Sequence, residues 1–165
     1  MAKKKVGLKV PTANELSKRY GDMIVSASDT KESGLWLPST FFMLNYTFGG
    51  GIPFGKILEV AGEESSGKSL IAYNFAYTTQ QLGGHVIWVD AEQAWMNSWA
   101  QENGVDPNGV TVIRDTRIEN IADALADVAI YWRSQLTHNE PILLVVDSIA
   151  AMDCADNIDS KMVDG

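Results

Sequence analysis

An α/β fold, with a mostly parallel sheet flanked by helices, is what this sequence predicts, and three observations predict it. Short apolar runs alternate with helix-forming stretches of ten or more residues, the pattern of strand–helix–strand units with right-handed crossovers. One run, "PILLVVDS" from Pro141 to Ser148, is apolar on both faces, as a strand covered from both sides must be. The chain has 165 residues, 45% hydrophobic and 21% charged, which suits one such core and leaves too little for two.

The elements follow in order. Residues 1–34 differ from the rest. "PTANELSKRYG" places Thr12 and Glu15 at capping-box spacing, so a short helix is predicted there. "SASDTKESG" is small and polar and reads as a linker. The core begins near Trp36, giving an expected division into an N-terminal segment, 1–34, and a core, 35–165. In "LPSTFFMLNYTFGGGIPFG", Ser39 reads as a helix cap, and Gly49 to Gly51 with Pro53 as a turn. "KILEVAG", Lys56 to Gly62, reads as the first strand of the sheet. Helix formers continue from Lys68 to about Leu82, where Gly83 and Gly84 stop them. "HVIWVD", His85 to Asp90, is the second strand, and "EQAWMNSWAQENG" a helix ended by Gly104. "GVTVIRD", Gly109 to Asp115, is the third strand. Ile121, Leu125, Val128 and Trp132 recur at three- and four-residue steps, predicting an amphipathic helix from Ile118 to Leu136. Pro141 to Ser148 is the fourth strand.

The net charge is −8, so bulk electrostatics do not draw this chain toward nucleic acid; Lys3, Lys4 and Lys5 form a small basic tip of the kind usually left in solvent. Cys154 is the only cysteine, which rules out an internal disulfide and a four-cysteine zinc site and fits a reducing cytoplasm. Its neighbours offer nothing to activate a thiol. No run approaches the roughly 20 apolar residues of a membrane helix, and the N-terminus lacks the apolar stretch of a signal peptide. The expectation is a cytoplasmic protein with no membrane partner.

Chemistry concentrates in Gly62-Glu63-Glu64-Ser65-Ser66-Gly67-Lys68-Ser69, which matches G-x-x-x-x-G-K-[ST] between a predicted strand and a predicted helix. The glycines let the backbone curl around an anion, and the helix N-terminus then aims N–H groups at phosphate oxygens. In this reading Lys68 bridges the β- and γ-phosphates of ATP, the Ser69 hydroxyl ligates Mg²⁺, and Leu70 adds its amide. A chance glycine turn with a surface lysine is the competing explanation; the eight-residue pattern in its strand–helix setting outweighs it. Glu63 and Glu64 fit only if their side chains point away.

Such a loop needs a carboxylate partner for Mg²⁺ at the C-terminal end of a neighbouring strand, and "ILLVVDS" supplies Asp147. Capping of the next helix is its competing role. Glu92, in "WVDAEQA", could polarise an attacking water, and Asp90 competes with it from the same strand end. Residue mechanics leave those two open. His85 and His138 read as structural or solvated. Trp88, Trp95, Trp99 and Trp132 read mainly as core, although an aromatic beside the nucleotide can stack on its base.

From Ser39 to Asp153 the sequence resembles the RecA-type recombinases of bacteria and phages. The resemblance is carried by "FGGGIPFGKILEVAGEESSGKS", "WVDAEQAW", "NGVDPNGVTVI" and "ILLVVDSIAAM". It implies a P-loop NTPase core of RecA type. It points to Glu92 rather than Asp90 as the water-activating carboxylate, and to Asp147, with Ser69, at Mg²⁺. Departures exist. Glu63 stands where bacterial members usually have proline, and Gln93 replaces a usual histidine. Met96 and Trp99 take the positions of an Asp near adenine and a Tyr stacking on it; Trp99 can still stack, Met96 cannot accept from the adenine amino group.

The resemblance further implies a DNA-dependent ATPase that forms a homo-oligomeric filament on single-stranded DNA and promotes strand exchange in recombination and repair. It also implies that the ATPase core is incomplete at its C-terminus. The family's γ-phosphate-sensing strand inserts between the P-loop strand and the Mg²⁺ strand, and with most of the DNA-binding loops it would lie beyond Gly165. The N-terminal segment would pack on a neighbouring subunit. Two alternatives stand beside this reading: another RecA-fold motor, a ring helicase or clock-type ATPase, or a non-hydrolysing nucleotide-binding piece of a split or truncated gene.

Overall fold

The computed structural model describes residues 11–27 and 34–154. The lysine tip, most of the polar linker and the terminal "NIDSKMVDG" lie outside them. The chain divides into two compact units, Met1–Gly34 and Leu35–Gly165.

In the first unit helix α1, Ala13–Tyr20, starts where its sequence says it should. The Glu15 amide donates to the Thr12 hydroxyl (3.3 Å), and the Thr12 amide donates back to the Glu15 carboxylate (2.9 Å). No residue of α1 is buried, and a single 3₁₀ turn, Gly21–Met23, follows.

The second unit opens with β1, Trp36–Leu37, which pairs antiparallel with β2, Ile52–Pro53. Between them α2 spans Phe42–Phe48. Ser39 is not its cap. The Ser39 hydroxyl accepts from the Phe41 amide (2.9 Å) and donates to Asn74 (2.7 Å), and Phe41 takes the cap position, so the helix starts two residues later than expected. Helix α3, Lys68–Gln81, follows the glycine-rich loop.

The main sheet has three parallel strands in the order β4, β3, β5: β4 is Val110–Ile113, β3 His85–Asp90 and β5 Ile142–Asp147. Helices α4, Asn97–Glu102, and α5, Ile118–Gln135, complete the βα units. The fully buried strand is β3, flanked on both edges; its Trp88 is 1% exposed and stacks on Tyr73 of α3 at 4.6 Å. Around this pair lie Ala76, Val86, Ala100, Val105 and Val145. Burial of this much apolar surface, at about 25 cal/mol per Å², is what holds the helices on the sheet.

Three expectations are corrected. β5 is not covered on both faces: only its Val145 is buried, Leu144 is 47% exposed, and among the described residues it is an edge strand. Lys56 to Gly62 forms no strand, and Ile57 is 99% exposed. A strand exists only through the ladder it makes, and no described segment pairs with these residues. The third strand stops at Ile113, ahead of a turn in which the Asp115 carboxylate accepts from the amides of Thr116 and Arg117 and from the Asn120 side chain. Those bonds, the Arg117 amide first, hold its carboxyl below the ordinary carboxylate range.

Among the described residues the outer edge of β5 has no partner strand. His85 and Ala91 donate to the carbonyls of Pro141 and Asp147. By the two-residue period of a parallel ladder, Ile142, Leu144 and Val146 then direct their backbone groups away from β3, where no described strand meets them. Open edges recruit other chains. The expected outcome is concentration-dependent self-association of the 165-residue chain, reduced by Leu144→Lys, as read by light scattering after size-exclusion chromatography. A monomeric parent at every concentration contradicts it.

At the other end of β3, His85 is 5% exposed, stacks on Trp132 at 3.6 Å and shares a hydrogen bond with the Thr111 hydroxyl (2.8 Å). Burial lowers its pKa from the ordinary 6.5. The folded chain therefore binds fewer protons there than the unfolded chain, and stability falls as pH drops through 6.5 toward the lowered value. The midpoint of thermal unfolding should decrease between pH 7.5 and pH 5.5, and His85→Gln should flatten that dependence, by circular dichroism. An equal slope in the variant rules out His85 as its source.

Candidate functional site

Register places the acidic groups. Asp90 ends β3 opposite Asp147 at the end of β5, and the Ala91 amide donates to the Asp147 carbonyl (3.2 Å). Both carboxylates thus emerge at the C-terminal edge of the sheet, where α3 begins.

The loop ahead of α3 is built by its small residues. Gly67 has φ +93°, a conformation side chains resist, and a Cβ on Gly62 would meet the Ser66 hydroxyl at 2.8 Å. Ser65 also takes a positive φ, +59°. No side chain caps α3, so its first-turn amides face the loop without a side-chain acceptor. Lys68 folds back over the loop, its ammonium donating to the carbonyls of Gly62 (3.0 Å) and Glu63 (2.7 Å). One residue on, the Ser69 hydroxyl donates to the Asp147 carboxylate at 2.9 Å, joining positions 78 residues apart. This pair offers only oxygen donors, a set suited to a hard cation such as Mg²⁺. Among the described residues no group of three or more His, Cys, Asp or Glu side chains could hold a metal by itself.

Asp90 and Glu92 have different surroundings. Asp90 is 2% exposed, and its carboxylate accepts from the amides of Ala94 (2.8 Å) and Trp95 (3.2 Å) and from Arg114 Nε (3.1 Å). Those bonds keep residues 91–96 out of a helix, so α4 starts at Asn97, later than its sequence suggests. Glu92 is exposed, and its carboxylate accepts from the Ser148 hydroxyl at 2.5 Å.

Tyr73, four residues beyond Ser69, has its pKa pushed up to about 12, by burial first and then by the charges of Asp147 and Asp90. It remains protonated at any ordinary pH. Its ring and those of Trp88 and Trp95 form one cluster behind the carboxylates, with Trp88 and Trp95 centroids 5.0 Å apart.

Of the residues singled out from sequence, Gly62, Glu63 and Lys68 meet one another, as do Ser69 and Asp147. Glu64, Ser65, Ser66 and Gly67 complete the loop, and Leu70 lies in the first turn of α3, 42% exposed. Trp99 is 44% exposed on α4 with Met96 just before it, and among the described residues no ring or hydrogen-bond contact joins Trp99 to the loop. Two partners went unforeseen. Arg114 carried no motif, and Ser148 entered only as part of a resemblance, although its place one residue after Asp147 was a usable signal.

A family model, the RecA N-terminal domain, matches residues 10–165. The chain belongs to the RecA family. Among its relatives, the Protein RecA of Ruminococcus albus is 36% identical over 132 residues, covering 78% of this chain and 31% of that protein. The Protein RecA of Clostridium beijerinckii is 39% identical over 118 residues, covering 70% of this chain and 30% of the relative. The Protein RecA of a Synechocystis species is 34% identical over 147 residues, covering 88% and 38%. The chain thus spans less than half the length of the curated RecA relatives it matches. No described helix is long and apolar enough to cross a membrane.

Proposed function

We propose that this chain is the ATP-binding part of a cytoplasmic, DNA-dependent ATPase of RecA type. The complete protein would assemble as a homo-oligomeric filament on single-stranded DNA and promote homologous strand exchange in recombination and repair. The observation that carries the reading is the convergence, at one end of a parallel sheet, of Lys68, the Ser69–Asp147 pair and Glu92. Membership of the RecA family supports the DNA role; with a net charge of −8 the chain brings no bulk attraction to DNA, so DNA contact is assigned mainly to residues beyond these 165.

In this reading a P-loop NTPase core binds ATP through the amides of Gly62 to Leu70. Lys68 exchanges its two carbonyl partners for β- and γ-phosphate oxygens and balances the charge that develops on the transferring group. Ser69 and Asp147 would hold Mg²⁺, which when bound neutralises phosphate charge. Glu92, the exposed carboxylate, orients and polarises the attacking water; Asp90 is turned inward and fully engaged. Trp99 supplies an aromatic face for the base.

A second reading, nucleotide binding without turnover, is favoured by one observation: Lys56 to Gly62, which leads into the loop, has no ladder partner among the described residues. ATPase assays of the chain with and without single-stranded DNA separate the two. DNA-stimulated turnover supports the first, and tight ATP binding with neither turnover nor stimulation supports the second.

Lys68→Ala should raise the dissociation constant for a fluorescent ATP analogue at least tenfold, since a charged hydrogen bond contributes roughly 1.5–3 kcal/mol. Equal affinity in variant and parent removes the loop from the binding site. Glu92→Gln should keep that affinity within about twofold and slow single-turnover hydrolysis at least a hundredfold, in the range of a lost general base. If Asp90→Asn stops turnover and Glu92→Gln does not, the catalytic carboxylate has been misassigned.

A further inference from the structure

We propose that Asp90 and Arg114 form a positioning pair that sets where Glu92 stands. The inference rests on the proposed role of Glu92 and adds two residues that act through it. Glu92 lies in a short loop held at its near end by the sheet ladder and at its far end by the Asp90 carboxylate. At the near end Asp90 is the last residue of β3, and the next amide, that of Ala91, is bound to the Asp147 carbonyl. At the far end the Asp90 side chain accepts the amides of Ala94 and Trp95. Between these anchors Gln93 takes a φ of +54° and donates its amide to the Asp90 carbonyl (3.3 Å), which closes the turn tightly around Glu92. A loop pinned this way leaves the Glu92 backbone little freedom, and Ser148 settles the carboxylate from the opposite strand.

A buried carboxylate bound only by amides would carry an uncompensated charge. Arg114 supplies the compensation. It stands just beyond β4, and its Nε reaches Asp90 Oδ2 at 3.1 Å while its side chain stays 55% exposed. The outer strand is thereby coupled to the loop carrying Glu92. Trp95, fixed by the same carboxylate, packs its ring on Trp88 and Tyr73, so the loop is also seated on the core. The contacts of Asp90 with the Ala94 and Trp95 amides orient the segment that presents Glu92 to solvent, and its contact with Arg114 balances the charge.

The test uses the 165-residue chain and three readouts. Hydrogen exchange at the Ala94 and Trp95 amides should quicken at least tenfold in Asp90→Asn, with Ile87 and Trp88 of β3 unchanged. Single-turnover hydrolysis, with protein in excess over ATP, should slow at least tenfold in Asp90→Asn and about threefold in Arg114→Gln, with affinity for a fluorescent ATP analogue within twofold of the parent. Arg114→Lys, which keeps the charge, should retain at least half the parent rate. Asp90→Asn combined with Glu92→Gln should be no slower than Glu92→Gln alone. Unchanged exchange at Ala94 and Trp95, unchanged rates, rates that fall in step with ATP affinity, or additive losses in the double variant each overturn the pair's role. Should Asp90→Asn fail to fold, Arg114→Gln, altered at a half-exposed side chain, decides by the same rate and affinity criteria. If the parent does not hydrolyse ATP, or Glu92→Gln hydrolyses it normally, the catalytic reading of Glu92 fails, and the exchange measurement still decides whether Asp90 fixes the loop.

Discussion

The pairing of β3 with β5 is the interaction on which the rest of the site depends. Six residues of each strand lie in register, from His85 beside Ile142 to Asp90 beside Asp147. A slip of one residue would turn every side chain of β5 to the other face of the sheet and carry Asp147 away from Ser69. The register is held by Val145 in the core on one strand and by the wholly buried run from Val86 to Val89 on the other. Packing far from the loop thus decides which oxygen atoms meet beside it.

Local patterns were legible wherever one segment contained its own cause. The second strand, His85 to Asp90, was read to the residue, because four apolar, β-favouring residues, Val86 to Val89, lie between a glycine pair and a polar loop. Helices α3 and α5 ended within a residue of expectation, since their stops are glycines and the end of an amphipathic repeat. Segment 56–62 was misread because strand formation is a property of pairs, and its β-favouring residues name no partner. The start of α4 was misread for a related reason. The helix formers after Glu92 are present, but a carboxylate from the preceding strand binds the amides of Ala94 and Trp95 and holds that stretch in a turn.

The site shows the same division. The phosphate-type loop is contiguous and could be read directly, down to the glycines its backbone needs. Asp90 and Glu92 are two positions apart, and no pattern of residue types separates them. What separates them is burial, one carboxylate spent on three internal donors and the other open to solvent. Arg114 and Ser148 reach these groups across 24 and 56 residues of chain, a distance over which one sequence carries no signal.

The order in which the three strands occur along the chain also governs how the site comes into being. Val86 pairs with Val110 on one side and with Leu143 on the other, so the first ladder closes a loop of about 24 residues and the second a loop of about 57. Loop-closure entropy alone favours the shorter by roughly 0.8 kcal/mol. During folding, β3 and β4 with the helices around them can therefore settle first, already bringing Asp90 and Arg114 together. Asp147 and Ser148 arrive with the last strand to dock. A partly folded molecule would hold the loop and the Asp90–Arg114 pair but lack Asp147, the acceptor for Ser69, and Ser148, the donor to Glu92, so the oxygen cluster is completed only when β5 docks.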